Sequence, residues 1–219
     1  MKNVVKPFFD LFFNKKFSIS ILSICILLSF AACGSDGDGD DGWTAEYSIG
    51  DTGPGGGIIF YHDPAGFTMA DTGEKAYYLE AAPAGWYVST APNDPMLVWV
   101  PTTSVAYIPG VSGTGTAVGT GRNNTKLILD ADTTASAAKE CAEYPGGGQS
   151  DWFLPSYDEL DLMYENLYKK GLGGFSDATY WSSSQLPPNS NGYALNFNNG
   201  GQYGFFKYST LSVRAIRAF

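Results

Sequence analysis

Four carboxylates that could do chemistry cluster around the Trp152–Pro155 stretch of this 219-residue chain: Asp151, Asp158, Glu159 and Asp161. Two carboxylates at a suitable separation can hydrolyse a glycosidic bond, one as the acid and the other as the base or nucleophile. Acidic residues at these positions also suit the first turn of a helix, where they complement the positive end of its dipole. We favour this structural interpretation and keep a carboxylate-dependent hydrolase as a remote alternative.

Other groups for catalysis or metal binding are few. The single histidine, His62, lies in Tyr-His-Asp-Pro and is predicted to be a turn residue rather than a general base. Cys141 is predicted to be a small buried hydrophobic side chain. One histidine and one such cysteine supply neither a zinc ligand set nor a nucleophile–base pair. The sequence therefore predicts a domain without catalytic residues, bound metal or cofactor.

Two glycine-rich runs, 53–57 and 113–119, resemble loops that bind phosphate. Neither run carries the Lys-Ser/Thr pair of a P-loop or the spacing of a dinucleotide-binding motif. Both are predicted to be turns.

The segment Tyr180–Thr210 contains eight aromatic residues but only one charge, Lys207. Rigid aromatic side chains mixed with small polar ones are typical of recognition surfaces. The predicted ligand-binding residues are Asn189, Asn191, Asn196, Asn198, Asn199, Gln202, Tyr203, Phe205, Phe206, Tyr208 and Ser209. The alternative is that the Asn and Ser residues only form turns on an ordinary surface.

A scaffold of strands and helices must hold these residues. Phe205 and Phe206 are adjacent, so in a strand they face opposite sides and at most one belongs to the core. We assign six residues to the scaffold: Trp181, Leu195, Phe197, Val213, Arg214 and Ile216. Strands are predicted at 57–61, 77–81, 97–100, 180–184, 193–197, 202–208 and 212–218, with a hairpin turn at 198–201.

Three helices are predicted, at 126–130, 135–144 and 157–170, after a long loop at 109–124. Asn124 is the expected cap of the first helix. Ser156 and Glu159 have the spacing of a capping box at the start of the third, and Gly171 ends it. Glu159 is also expected to form an ion pair with Arg214 or Arg217 on the last strand.

Four motifs in order resemble the Lcl C-terminal-like domain family: Gly50–Tyr61, Ser150–Leu160, Tyr180–Ser184 and Val213–Arg217. The family occurs on bacterial lipoproteins and surface proteins, and includes the tip of a collagen-like adhesin that binds sulfated glycans. The resemblance implies an α+β fold akin to C-type lectins and formylglycine-generating enzymes. This domain lacks the cysteines for formylglycine chemistry, and its acidic balance departs from that of a sulfated-glycan binder.

The end of the chain, from Asn196 to Phe219, also resembles the C-termini of lectin-like proteins diversified by retroelements. In those proteins, adenine-directed mutation of Asn codons yields Asn, Tyr, Ser, Phe and Asp at exposed positions. The likeness implies that the aromatic and polar residues between Asn198 and Ser209 form a variable ligand-binding surface.

The N-terminal residues indicate export. Residues 1–32 have a basic region, an apolar run of about 14 residues and the small pair before Cys33, the order of a secretory signal. The segment resembles a bacterial lipoprotein signal with Cys33 as the lipidated residue, although Phe30 stands where Leu is usual. The alternative is an ordinary signal peptide in which Cys33 is incidental.

Residues 33–46 are rich in Gly and Asp and are predicted to be a flexible acidic tether. The residues from Asp36 onward do not match a calcium-binding EF-hand loop, because the sixth and twelfth positions, which require Gly and Glu, hold Asp41 and Tyr47. No Asp follows Cys33 directly, which favours the outer membrane over retention at the inner membrane.

Charge limits the partners. Residues 1–32 contain four of the 13 basic and one of the 22 acidic residues, so the remaining chain has a net charge of about −12. This balance disfavours nucleic acid and anionic lipid surfaces, which need basic patches.

The sequence therefore predicts one α+β domain at 47–219, C-type-lectin-like, with short antiparallel strands, two to three helices and long Gly-rich loops. The expected function is a lipid-anchored adhesin-like module that binds a glycan or protein at the bacterial cell surface. A structural envelope lipoprotein that docks a partner or forms a homo-oligomer is the alternative.

Overall fold

The structure, a computed structural model, describes residues 46–101, 110–187 and 190–219. These residues belong to one compact unit, Gly42–Phe219. The strands are β1 (Ile58–Thr68), β2 (Lys75–Ala81), β3 (Met96–Val98), β4 (Thr179–Leu186), β5 (Asn191–Asn196), β6 (Gly201–Phe206), β7 (Thr210–Ser212) and β8 (Ile216–Ala218). The α-helices are α1 (Gly121–Ala131), α2 (Ser136–Ala142) and α3 (Tyr157–Asn166), and short 3-10 turns lie at Val88–Thr90, Gly146–Gly148 and Tyr168–Lys170.

The strands of the described residues form two sheets. β1, β2 and β8 make a three-stranded antiparallel sheet. The other five strands have the order β3-β7-β4-β5-β6 and are antiparallel, apart from a parallel bridge between β4 and β7. Three α-helices and two sheets make a mixed α+β domain, which confirms the predicted fold class at this level.

Each face of the five-stranded sheet carries its own core, because neighbouring residues of a strand point to opposite sides. Trp181 packs in one core with Trp99, and its neighbour Tyr180 packs in the other with Leu160 of α3. The six residues assigned to the scaffold are buried, as predicted: Trp181, Leu195, Phe197, Val213, Arg214 and Ile216. Cys141 is also buried, and desolvation raises the pKa of its thiol well above the usual value.

Helix α1 begins five residues earlier than predicted, inside the segment predicted to be a loop. Its first residue, Gly121, packs so closely that a Cβ there would lie 2.2 Å from Oε2 of Glu159. Tertiary contact therefore outweighs the weak helix propensity of this turn. Asn124 is not the cap, since its carboxamide accepts from the N–H of Gly115 at 2.9 Å and donates to its carbonyl at 2.7 Å.

The capping box of α3 is confirmed. Ser156 Oγ accepts a hydrogen bond from the N–H of Glu159, and Glu159 Oε2 accepts one from the N–H of Ser156 at 2.7 Å. The α-helix is shorter than predicted, because it ends at Asn166 and a 3-10 turn leads to Gly171 in the left-handed conformation (φ 69°).

The expected ion pair of Glu159 with Arg214 or Arg217 is wrong. The Glu159 carboxylate is fully buried and accepts hydrogen bonds from backbone N–H groups, including that of Gly119 at 2.8 Å. Desolvation raises its pKa to about 7, although these backbone donors act in the opposite direction. Both arginines have other carboxylate partners.

The predicted strand 212–218 is in fact two strands in different sheets. β7 ends at Ser212 in the five-stranded sheet, and β8 begins at Ile216 in the three-stranded sheet. The linking residues, Val213–Ala215, are all buried, and the one polar residue among them, Arg214, forms a buried ion pair, so the sequence pattern of a continuous strand does not reveal the break. This crossing joins the two sheets.

His62 lies in β1 rather than in the turn predicted for it. Its ring stacks on Tyr78 of the neighbouring strand, with centroids 4.5 Å apart. The strand continues after the Asp-Pro pair through an irregularity in register between His62 and Phe67, which the sequence pattern did not reveal.

The link between the sheets carries a buried ion pair. The Arg214 guanidinium binds Asp94 through Nε–Oδ1 at 2.5 Å and Nη2–Oδ2 at 2.8 Å, and both side chains are almost inaccessible to solvent. Asp94 also accepts from Trp86 Nε1 at 2.9 Å and from the Tyr180 hydroxyl at 2.7 Å. Phe175 stacks against the guanidinium at 4.1 Å. We call these residues the Asp94–Arg214 network.

Replacing Asp94 with Asn tests this network. The change leaves a buried guanidinium without its counter-charge, so we expect a loss of about 3–5 kcal/mol in the free energy of unfolding, measured with urea. The control is Lys169→Ala, which breaks an exposed pair with Glu165 and should leave the free energy of unfolding almost unchanged. Equal losses in the two variants would contradict the central role of Asp94.

Candidate functional site

The predicted ligand-binding residues lie mainly on the hairpin formed by β5 and β6. The strands pair in continuous antiparallel register from Asn191 opposite Phe206 to Asn196 opposite Gly201. Among the strands that the structure describes, β6 lies at one edge of the five-stranded sheet, and β5 is the neighbour with which it pairs. The hairpin turn predicted at 198–201 is confirmed to within a residue.

Alternation along β6 divides the predicted residues between the two faces of the sheet. Tyr203 and Phe205 share a face, and Phe205 packs near Trp181 of the core at 6.3 Å. Phe206 lies on the opposite face, beside its cross-strand partner Asn191. The prediction that only one of the two adjacent phenylalanines packs against the core is therefore confirmed.

Phe206 and Tyr208 form an exposed pair of parallel rings. Their centroids are 5.2 Å apart and their planes differ by 5°. Phe206 is 52% exposed and Tyr208 39% exposed. With half-buried Asn191, they make a surface that we call the aromatic platform, defined by Asn191, Phe206 and Tyr208.

Lys207 anchors the platform from the opposite face. Its side chain is fully buried, with Nζ 2.6 Å from Gln185 Oε1 and 4.2 Å from the centroid of the Trp99 ring. Its N–H donates to the Ser190 carbonyl, and its carbonyl accepts from the Val100 N–H, both at 3.0 Å. The residue between the two exposed rings is thus fixed to the interior. The sequence marked Lys207 as the single charge in the segment but did not indicate this role.

Three predicted residues serve the hairpin turn. Asn196 Oδ1 accepts from the N–H of Asn198 at 2.8 Å, and Asn199 Oδ1 accepts from the N–H of Gly201 at 2.8 Å. Asn199 Nδ2 donates to the Tyr203 hydroxyl at 3.3 Å. Such bonds match the alternative in which Asn side chains shape turns, while Asn198 and Asn199 remain exposed.

The remaining predicted residues have varied positions. Gln202 is exposed at the start of β6, and half-buried Ser209 donates its N–H to the Phe206 carbonyl at 2.7 Å in the turn before β7. Asn189 and Cys33 lie outside the described residues, as do the signal and nearly all of the predicted tether.

The glycine run 53–57 binds an internal carboxylate. The N–H groups of Gly55 and Gly57 both donate at 3.0 Å to Glu80, which is fully buried and also binds Arg217 at 3.0 Å. A Cβ at Gly55 would lie 2.6 Å from Glu80 Oε1, which explains the glycine. This loop therefore uses its N–H groups for structure.

The acidic group around Asp151 is also dispersed into separate contacts. Asp151 binds Arg217 at 2.5 Å, and Glu159 caps α3. Asp158 and Asp161 lie half-buried on α3, and desolvation raises the pKa of each, with repulsion from a neighbouring carboxylate second. Two of the four carboxylates thus have structural partners.

A cavity of about 330 Å³ lies beside Asp151 and is lined partly by Arg122, Lys126 and Asp130. Its charges are matched, because Arg122 binds Asp71 at 2.7 Å, Lys126 binds Asp130, and Asp151 binds Arg217. This cavity therefore presents no charge that lacks a partner.

In the part of the chain that the structure describes, no helix is long and apolar enough to span a bilayer. Within the same residues, no three His, Cys, Asp or Glu side chains are grouped so that they could hold a metal ion.

The burial of Lys207 predicts an unusual titration. Desolvation lowers the pKa of its ammonium group to about 8, from an ordinary value near 10.4. Because the unfolded chain binds this proton more tightly, the free energy of unfolding should rise between pH 8 and pH 10. The rise should be smaller in Lys207→Met. An NMR titration of the Lys207 side chain with its midpoint near 10.4 would contradict the assignment.

No protein-family model matches this chain, and no curated protein matches it. The function proposed below therefore rests on the residues and geometry of the aromatic platform, together with the sequence motifs.

Proposed function

We propose that this protein is a lipid-anchored, non-catalytic binding module of the bacterial cell surface, of C-type-lectin-like fold, which recognises a glycan or protein ligand through the aromatic platform. The observation that carries the proposal is the exposed parallel pair of Phe206 and Tyr208 on an edge of the sheet. The sequence of residues 1–46, with Cys33 as the lipid-bearing residue, supports attachment to the outer membrane.

The exposure of these rings is concentrated rather than scattered. Seven large apolar or aromatic side chains are exposed among the described residues, and two of them, Phe206 and Tyr208, lie side by side on the same surface. Grouped exposed apolar side chains commonly mark interaction sites, whereas isolated ones need no explanation. The buried side chain of Lys207 holds the two platform rings in place, which lowers the entropy lost on binding.

The platform favours an uncharged ligand surface. Its three residues carry no charge, and the neighbouring charge, Lys207, is buried. Aromatic faces can pack against the C–H groups of a sugar or an apolar protein side chain, and the Asn191 carboxamide can donate and accept hydrogen bonds. The net charge of about −12 beyond residue 32 further disfavours a polyanion.

The hairpin gives a matched pair of variants for testing the platform. We expect Phe206→Ala and Tyr208→Ala each to weaken binding by about tenfold, because each removes aromatic contact area worth roughly 1–2 kcal/mol. Tyr203→Ala is the control, since Tyr203 is exposed on the other face of the same strand. Binding of Gly42–Phe219 is measured on glycan and cell-surface protein arrays.

Circular dichroism checks that each variant keeps its fold. Unchanged binding by the folded Phe206→Ala/Tyr208→Ala double variant would contradict the proposal. A loss in Tyr203→Ala alone would place the ligand on the other face of the hairpin.

A specific observation also favours the second candidate, a structural lipoprotein that self-associates. Among the described strands, β6 is at the edge of its sheet, so its outer backbone groups can pair with another strand. If this candidate holds, light scattering after gel filtration will show a dimer, and Gln202→Pro will convert it to a monomer by removing one backbone donor. A wild-type monomer at high concentration would contradict it.

A further inference from the structure

A second concave surface shares no residue with the aromatic platform. It has a volume of about 260 Å³ and lies between the 3-10 turn Val88–Thr90 and the C-terminal end of α2. The residues that matter here are Trp86, Tyr87, Glu140, Glu143 and Tyr144.

Three aromatic rings form one wall of this cavity. Trp86 meets Tyr87 edge-on at 5.8 Å and Tyr144 at 5.3 Å. Trp86 is held in place because its Nε1 donates to Asp94 of the buried network. The wall is therefore fixed by the scaffold, and aromatic ring faces attract cations.

Two carboxylates complete the cavity. Glu140 is half-buried and Glu143 is exposed, and neither has an ion pair or side-chain hydrogen bond with any residue that the structure describes. The hydroxyls of Tyr87 and Tyr144 likewise have no hydrogen-bond partner among those residues. The carbonyls at the end of α2 add negative potential. All of these groups favour a positive charge.

We propose that this cavity binds the alkylammonium group of a small organic cation. An alkylammonium group has apolar C–H surface for the aromatic wall and a charge for the two carboxylates, so it uses both features. A metal ion fits less well, because within the described residues no third acidic, His or Cys side chain joins the pair. The acidic chain also raises the local concentration of cations.

The test uses NMR titrations of Gly42–Phe219 at fixed ionic strength, following the indole N–H of Trp86. The probes are choline, n-butylammonium and 3,3-dimethylbutan-1-ol, which is the uncharged isostere of choline. We expect at least one cation to shift the Trp86 signal in a saturable way, and the neutral alcohol to bind at least tenfold more weakly. A stronger response to choline indicates a quaternary ammonium ligand, and a stronger response to n-butylammonium indicates a lysine-like amine.

The Glu140→Gln/Glu143→Gln variant should bind the cations at least tenfold more weakly than the wild type. Its fold should be unchanged, because neither side chain forms an ion pair or a side-chain hydrogen bond with any described residue. Glu74→Gln/Glu165→Gln removes the same number of charges at exposed positions elsewhere and should bind like the wild type. Absence of binding by both cations, equal binding of the neutral alcohol, or full binding by the first variant would each overturn the proposal.

Discussion

The buried ion pair between Asp94 and Arg214 is the interaction on which the rest of the structure depends. Arg214 lies in the link that carries the chain from one sheet to the other, and its Nη1 donates to the carbonyls of Ala82 and Gly173 at 2.8 and 3.0 Å. A buried guanidinium is tolerated only when its hydrogen bonds and charge are satisfied. The segments that carry Asp94, Ala82 and Gly173 must therefore meet at the Arg214 side chain, which holds the two sheets together.

The same constraint extends to the second arginine of the last strands. Arg217 reaches Glu80 and Asp151, and Glu80 in turn binds the N–H groups of the glycine run 53–57. A loop that resembles a phosphate site is thus occupied by a carboxylate of its own chain. Glu80 and Asp151 therefore bind Arg217 and join distant segments of the chain.

The hairpin of β5 and β6 shows how this scaffold supports a recognition surface. Phe205 on β6 points toward the core, and Lys207, just beyond the strand, is buried against Trp99. Because neighbouring residues of an extended chain point to opposite sides, Phe206 and Tyr208 are held on the opposite face. Phe206 and Tyr208 are exposed because Phe205 and Lys207 occupy the interior side of this segment. The described residues among those predicted to bind a ligand therefore do not form one continuous surface, because strand geometry places Tyr203 and Phe205 on one face and Phe206 on the other.

The sequence by itself determined the features that depend on local hydrogen bonds and on the alternation of buried and exposed residues. The capping box at Ser156, the buried aromatic and aliphatic residues and the hairpin turn follow from nearest neighbours and from alternation. Only the tertiary structure decided the partners of the arginines, the early start of α1 at Gly121 and the break at 213–215. Asp94 and Arg214 are 120 residues apart. Such pairings depend on which segments the fold brings together, and a local pattern of residue types cannot indicate a partner that lies so far away along the chain.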